Sequence, residues 1–246
     1  MAAVLDHLAI AAPAPALADG WELFGGVLGG RFAYGGDSPG YWWGQLEFAA
    51  GPKIELLTPT VGPDAAFLER FLAARGAGPH HFNFTVTDIG ETLARVRAFG
   101  IEPVGVNLAN PLWREAFLHP RAAHGTVIQI AQPGGPPPRG PRPREMPEPG
   151  PAARVDLIEH HVGDLARAAA LLRDVLDGRV EAAGAGTAEL TWPGGKRIRL
   201  VREAGLPLDG AVHRVRFARA AGAFGAQDAE RASLLAKRLG VAVELA

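Results

Sequence analysis

The chain has 246 residues, 48% of them hydrophobic, with 25 basic against 26 acidic side chains and a formal net charge of -1. That is enough apolar chain for one large or two small packed domains. The even charge balance excludes the basic stripe of a nucleic-acid binder and the polybasic segment of a membrane-surface protein, which leaves a small molecule as the expected partner. Cysteine is absent, which excludes disulfides, thiolate ligands and cysteine nucleophiles and fits a reducing, cytoplasmic compartment. Val4 to Ala18 is apolar but broken by Asp6, His7, Pro13 and Pro15 and has no basic lead, so neither a signal peptide nor a membrane span is expected. The basic residues are nearly all arginine, and alanine, glycine and proline are plentiful, as in a GC-rich, bacterial genome.

In chain order, Leu5 to Ile10 reads as a strand, and Leu17, Trp21, Phe24 and Leu28 recur at helical spacing until Gly29-Gly30 ends the pattern. Tyr41 to Phe48 and Lys53 to Leu57 follow as strands. The same order then restarts. His80 to Phe84 is a strand, Ile89, Leu93, Val96 and Phe99 mark a helix closed by Gly100, and Ala116 to His119 and Thr126 to Ala131 are strands. Each copy reads strand, helix, three strands. From Pro133 to Pro151 the chain is rich in proline and glycine, which deny a helix or ladder its N–H groups, and an extended polyproline II linker is expected.

Beyond the linker the order starts a third time, with a strand at Val155 to Val162, a helix over Asp164 to Asp177 and three short strands through Leu200. A strand at Val212 to Phe217, a helix at Glu230 to Leu239 and a strand at Val241 to Leu245 read as a truncated fourth copy. The expected domains are therefore residues 1–132, comprising modules 1–75 and 76–132, a linker at 133–152, and a degenerate copy at 153–246. The expected fold class is α+β, built of tandem βαβββ modules.

Two side-chain pairs repeat at one interval: His7 is matched by His81, and Glu55 by Gln129, 74 residues later in each case. Side chains alternate between the faces of a strand. Phe82, Phe84, Ile54, Leu56, Ile128 and Ile130 therefore face a core, while His81, Asn83, Glu55 and Gln129 face the other way. Two such modules side by side would bring His7, Glu55, His81 and Gln129 onto one concave face. Two imidazoles, one carboxylate and one amide oxygen suit Fe(II), Mn, Co, Ni or Zn better than Mg or Ca. The degenerate half lacks these groups: alignment by the helices puts Val155, Arg199 and Arg214 where His7, Glu55 and His81 stand. Its histidines, His160, His161 and His213, are read as structural.

Together the Leu5-Asp6-His7-Leu8-Ala9-Ile10 start, the Pro52-Lys53-Ile54-Glu55-Leu56-Leu57 strand, the Pro79-His80-His81-Phe82-Asn83-Phe84 restart and the Phe117-Leu118-His119-Pro120-Arg121 segment ahead of His124 to Ile130 resemble the vicinal oxygen chelate superfamily. The superfamily includes glyoxalase I, methylmalonyl-CoA epimerase, extradiol dioxygenases and the bleomycin and fosfomycin resistance proteins. The resemblance covers residues 1 to 132 and is nearest to methylmalonyl-CoA epimerase. It implies a divalent metal held by His7, Glu55, His81 and Gln129, and a carbonyl or two vicinal oxygens of a small organic acid or thioester activated for proton transfer. Superfamily members often pair, so a homodimer is a candidate assembly.

The epimerases place a glutamate base on the third strand of the first module and a second on the last strand of the second module. Here those positions hold Gln45 and Gln129, whose amides accept no proton at neutral pH. The expected proton carriers are Glu55 and, two residues along from Gln45, Glu47. Gln45, Asn83, Arg114, His119 and His124 are the expected substrate contacts, with Arg121 and the aromatics Trp42, Trp43 and Trp113 nearby in sequence. Two further functions fit the same donors. One is an Fe(II) extradiol-type dioxygenase, which uses two histidines and a carboxylate, and the other is a non-catalytic drug-binding protein of the resistance type.

Overall fold

The computed structural model describes residues 3–135, 141–206, 213–219 and 221–246, without the side chain of His213. Val212, the His213 side chain and linker residues 136–140, all part of the reading above, lie outside the described residues.

The architecture is α+β with tandem βαβββ modules. The first half holds β1 (Val4–Ala11), β2 (Arg31–Ser38), β3 (Tyr41–Glu47), β4 (Lys53–Pro59), β5 (Gly78–Thr85), β6 (Val104–Asn107), β7 (Trp113–Leu118) and β8 (Val127–Pro133), in one sheet of order β2-β3-β4-β1-β5-β8-β7-β6. The second half holds β9 (Ala153–Val162), β10 (Arg179–Ala183), β11 (Thr187–Trp192), β12 (Lys196–Arg202), β13 (His213–Arg219) and β14 (Ala242–Leu245), in a sheet of order β10-β11-β12-β9-β13-β14. First and last strands of a module lie side by side, because the helical crossover returns the chain parallel to its start. β5 pairs parallel with β8, and β9 with β12. This rule brings side chains far apart in sequence to one place.

The helices are α1 (Leu17–Gly20, continued by a wider-wound segment Trp21–Val27), α2 (Ala66–Arg75), α3 (Ile89–Ala98), α4 (Leu165–Ala170, continued by Leu171–Val175) and α5 (Ala226–Arg238). Aspartates start two of them. Asp88 accepts from Glu91 N at 3.0 Å and Asp164 from Arg167 N at 2.9 Å, which satisfies first-turn N–H groups that have no partner within the helix. α2 is an element the sequence reading missed, although Leu68, Phe71 and Leu72 recur at helical spacing. Among the described residues, no helix is long and apolar enough to cross a membrane.

By contacts the chain divides into two compact units. One comprises Met1–His7, His81–Pro137 and Leu157–His213, the other Leu8–His80, Pro138–Asp156 and Arg214–Ala246. β1, β5 and β9 each contribute residues to both. In the first unit Phe84 lies against Trp192 with ring centroids 5.4 Å apart, and the Trp192 indole donates to Leu176 O at 2.7 Å, so a large buried ring keeps its polar edge satisfied. Arg95 of α3 bridges to Asp177 at 2.7 Å. In the second unit Phe217 packs on Phe48 and Phe24, at 5.3 and 6.2 Å between centroids, and Arg238 and Arg231 of α5 pair with Asp19 and Glu22.

Of the expected linker, Pro133 ends β8, while residues 134, 135 and 141–152 form neither helix nor strand, as the prolines dictate. It is nevertheless seated. Met146 is buried, and Gly150 N donates to Gly25 O at 3.2 Å.

Candidate metal centre

β1, β4 and β5 are consecutive neighbours in the order β4-β1-β5, so residues of like parity on them share a face. His7, Glu55 and His81 occupy those strands and are all buried, with 2%, 6% and 6% exposure. Each offers one ligand atom, and the three atoms lie within 4.8 Å of one another. The imidazole rings meet edge to face at 5.5 Å.

The surroundings prepare the donors. Asp6 Oδ2 takes the Nδ1 side of His7 at 2.8 Å, which leaves Nε2 as the lone-pair nitrogen of the neutral ring. Gln45 Nε2 donates to Glu55 Oε2 at 2.6 Å, across a directly paired register of β3 and β4. A buried carboxylate is costly to keep ionised unless its charge is balanced. Two imidazole nitrogens and one carboxylate are donors that suit a first-row divalent cation. The donor set therefore fits such an ion.

Gln129 is buried on β8 and stands opposite Asn83 of β5 in register. Its Oε1 accepts from Asn83 Nδ2 at 2.7 Å, and its Nε2 donates to Glu115 Oε2 at 2.7 Å. Beside the donors the same face turns apolar: Ala9, Ala11 and Leu57 cluster with Leu68 of α2, and Trp43, Tyr41 and Phe71 pack against them. His80 meets the rings of Phe71 and Phe67, and burial, aided by the Arg75 charge, lowers its pKa to about 4.

The other expected contacts are placed differently. Glu47 is exposed at the end of β3. Arg114 pairs with Gln132 in register, on the β7 face that Ala116 and Leu118 bury. His119 is exposed in the following turn, where its Nδ1 accepts from Arg121 N at 3.3 Å. His124, buried with φ 57°, lines a cavity with Phe82, Ile128 and Leu200, and its carbonyl accepts from His160 Nε2 at 3.0 Å. Phe82 and Ile128 alternate away from His81 and Gln129, so this histidine belongs to the opposite face of the sheet. Two groups escaped the sequence reading: Asp6, which strand parity points away from His7, and Glu115, whose signal was its alternation with Trp113 and Phe117 on the strand facing Gln129.

In the second half, ion pairs stand on β11 and β12. Glu189 takes both Arg197 and Arg199 at 3.0 Å. Among the described residues, the one cluster of three or more histidine and acidic ligand atoms is that of His7, Glu55 and His81.

No family model and no curated protein matches the sequence. Among solved structures, methylmalonyl-CoA epimerase from Mycobacterium tuberculosis is 24% identical, with TM-score 0.46 over 54% of this chain and 89% of that one. A variant of the Streptomyces coelicolor epimerase, in complex with 2-nitronate-propionyl-CoA, is 22% identical, with TM-score 0.46 over 54% of this chain and 98% of that one. A hypothetical protein from Staphylococcus aureus is 10% identical, with TM-score 0.58 over 90% of this chain and 93% of that one, a likeness of fold across both halves. The fold is α+β with tandem βαβββ modules.

Proposed function

We propose that this protein is a metal-dependent enzyme of the glyoxalase and epimerase type, moving a proton next to the carbonyl of a small organic acid or thioester. The buried His7–Glu55–His81 cluster is the observation that carries this reading. His7, Glu55 and His81 hold the ion, and Gln129 is the fourth ligand. A bound divalent ion supplies Lewis-acid polarisation of a carbonyl or of two vicinal oxygens.

The chain's own residues do the rest. Gln45 holds Oε2 of Glu55 and so fixes the plane of that carboxylate. The proton is carried by Glu55, with exposed Glu47 as the alternative carrier. Gln45 and Gln129 take up no proton, so the reaction uses one base rather than two. The apolar group of Ala9, Leu57, Leu68 and Trp43 keeps water from one side and favours a substrate with an apolar portion. The proposed partner is a small molecule.

The test is deuterium uptake from heavy water at the α-carbon of acyl thioesters and 2-oxo acids, using full-length protein loaded in turn with Mn, Co, Ni, Zn and Fe(II). Glu55→Gln keeps a coordinating oxygen and should keep the metal while slowing exchange by about 10³-fold. A Glu55→Gln protein that exchanges at the native rate contradicts the assignment. Two histidines and one carboxylate also suit Fe(II) oxygen chemistry. Turnover of a catechol that requires both iron and dioxygen would favour that second reading, and exchange under anaerobic conditions would remove it.

A further inference from the structure

Strand β7 places a carboxylate beside the amide of Gln129. Trp113, Glu115 and Phe117 alternate onto the face that carries Gln129, and Phe117 stands opposite Gln129 in register. Gln129 Nε2 donates to Glu115 Oε2 at 2.7 Å, and Trp113 Nε1 donates to the same oxygen at 2.9 Å. On its far side Gln129 accepts from Asn83 Nδ2 at 2.7 Å. Asn83 is fully buried, and its Oδ1 accepts no hydrogen bond among the described residues.

An ionised carboxylate accepts hydrogen bonds and donates none. Glu115 therefore decides which end of Gln129 turns toward β7: the NH2 group must face it, and the oxygen must face β5. That oxygen in turn requires the NH2 of Asn83, which leaves Asn83 Oδ1 as the unmet acceptor. One carboxylate thus sets the polarity of two amides in series. Oxygen and nitrogen ends of an amide have nearly the same shape, so packing alone chooses weakly between them. For a cation the choice decides binding, because an amide oxygen coordinates and an NH2 group does not.

We infer that Glu115 is a positioning residue of the metal centre, locking the Gln129 and Asn83 amides so that the β5–β8 side presents oxygen to a divalent cation. The inference rests on the metal reading proposed above. It adds a residue that the ligand repeat does not include, and it explains how a glutamine serves at Gln129: the negative charge stands one residue behind the ligand, on Glu115, instead of on the ligand itself.

Two measurements on the full chain test this. In the metal-free native protein the side-chain NH2 of Gln129, identified in a ¹⁵N–¹H spectrum by its loss in Gln129→Met, should exchange slowly with solvent. This reading needs no change at Glu115. In a Co(II) titration followed by visible absorption, Glu115→Gln should weaken cobalt binding roughly tenfold or more and alter the spectrum. A freely exchanging Gln129 NH2 in the native chain overturns the inference, as does a Glu115→Gln protein with native cobalt affinity and spectrum. A native chain that takes up no cobalt overturns the metal reading itself, and this inference with it.

Discussion

At the scale of single residues, the repeat made the His7–Glu55–His81 cluster legible in the sequence. His7 and His81, and Glu55 and Gln129, stand at one repeat interval, and strand parity is enough to put them on a common face. Asp6 and Glu115 were not legible. Asp6 belongs by parity to the other face of β1 and reaches the imidazole beside it through its short side chain. Glu115 meets Gln129 diagonally, two positions from the directly paired Phe117, and a pairing of that kind appears only when the register of β7 and β8 is known. Both contacts have measurable consequences. Asp6→Asn exchanges the acceptor for an amide that can hold either ring tautomer, and metal affinity, read by competition with a chromogenic chelator, should fall about tenfold. Native affinity in Asp6→Asn would remove Asp6 from the account.

At the scale of elements, the βαβββ order was readable because helical and strand periodicities alternate cleanly along the chain. α2 was missed since it falls between modules, where a connection was expected. It supplies Leu68 and Phe71 to the apolar wall beside the donors. Turn geometry also lay beyond the sequence. Gly51, in the turn joining β3 to β4, has φ 93°, and a Cβ there would come 2.1 Å from Val155 O, close to where Val155 N donates to Ala50 O at 3.0 Å. Gly51→Ala should therefore cost at least about 2 kcal/mol, lowering Tm by about 4–8 °C in a calorimetric scan. An unchanged Tm would mean that this turn does not rest on β9.

His160 of β9 shows a similar coupling of burial to stability. Burial lowers its pKa from 6.5 to about 3, with the neighbouring His124 and His161 adding to the same direction against the hydrogen bond to the His124 carbonyl. The unfolded chain takes up a proton near pH 6.5 that the folded chain refuses until about pH 3. The stability held by neutral His160 is thus whole above pH 6.5 and is lost as pH falls toward 3. His80 and His124 are shifted down as well, so they add to the same slope. His160→Gln keeps a donor for the His124 carbonyl, and it should flatten the fall of Tm between pH 6.5 and 4 relative to the native chain. Parallel Tm curves for the two proteins would show that His160 is protonated in the fold.

At the scale of the molecule, one module plan is used repeatedly, and among the described residues the clustered histidine and glutamate ligand atoms lie in the first half. Strands of the second half carry arginine–glutamate pairs, which hold charge without needing an ion. The ion pairs of Glu189 with Arg197 and Arg199 were not readable in the sequence, because they depend on the pairing of β11 with β12. The fold and the donor repeat are thus matters of periodicity, while the groups that orient the donors are matters of register. The central claim is that His7, Glu55 and His81 form a working metal centre. The most direct measurement is the metal content of full-length protein purified without added metal and again after reconstitution, beside a His7→Ala, His81→Ala double variant. Near-stoichiometric divalent metal is expected in the native chain, with its loss in the folded variant. A native chain that binds none after reconstitution, or a variant that retains it, would contradict the account.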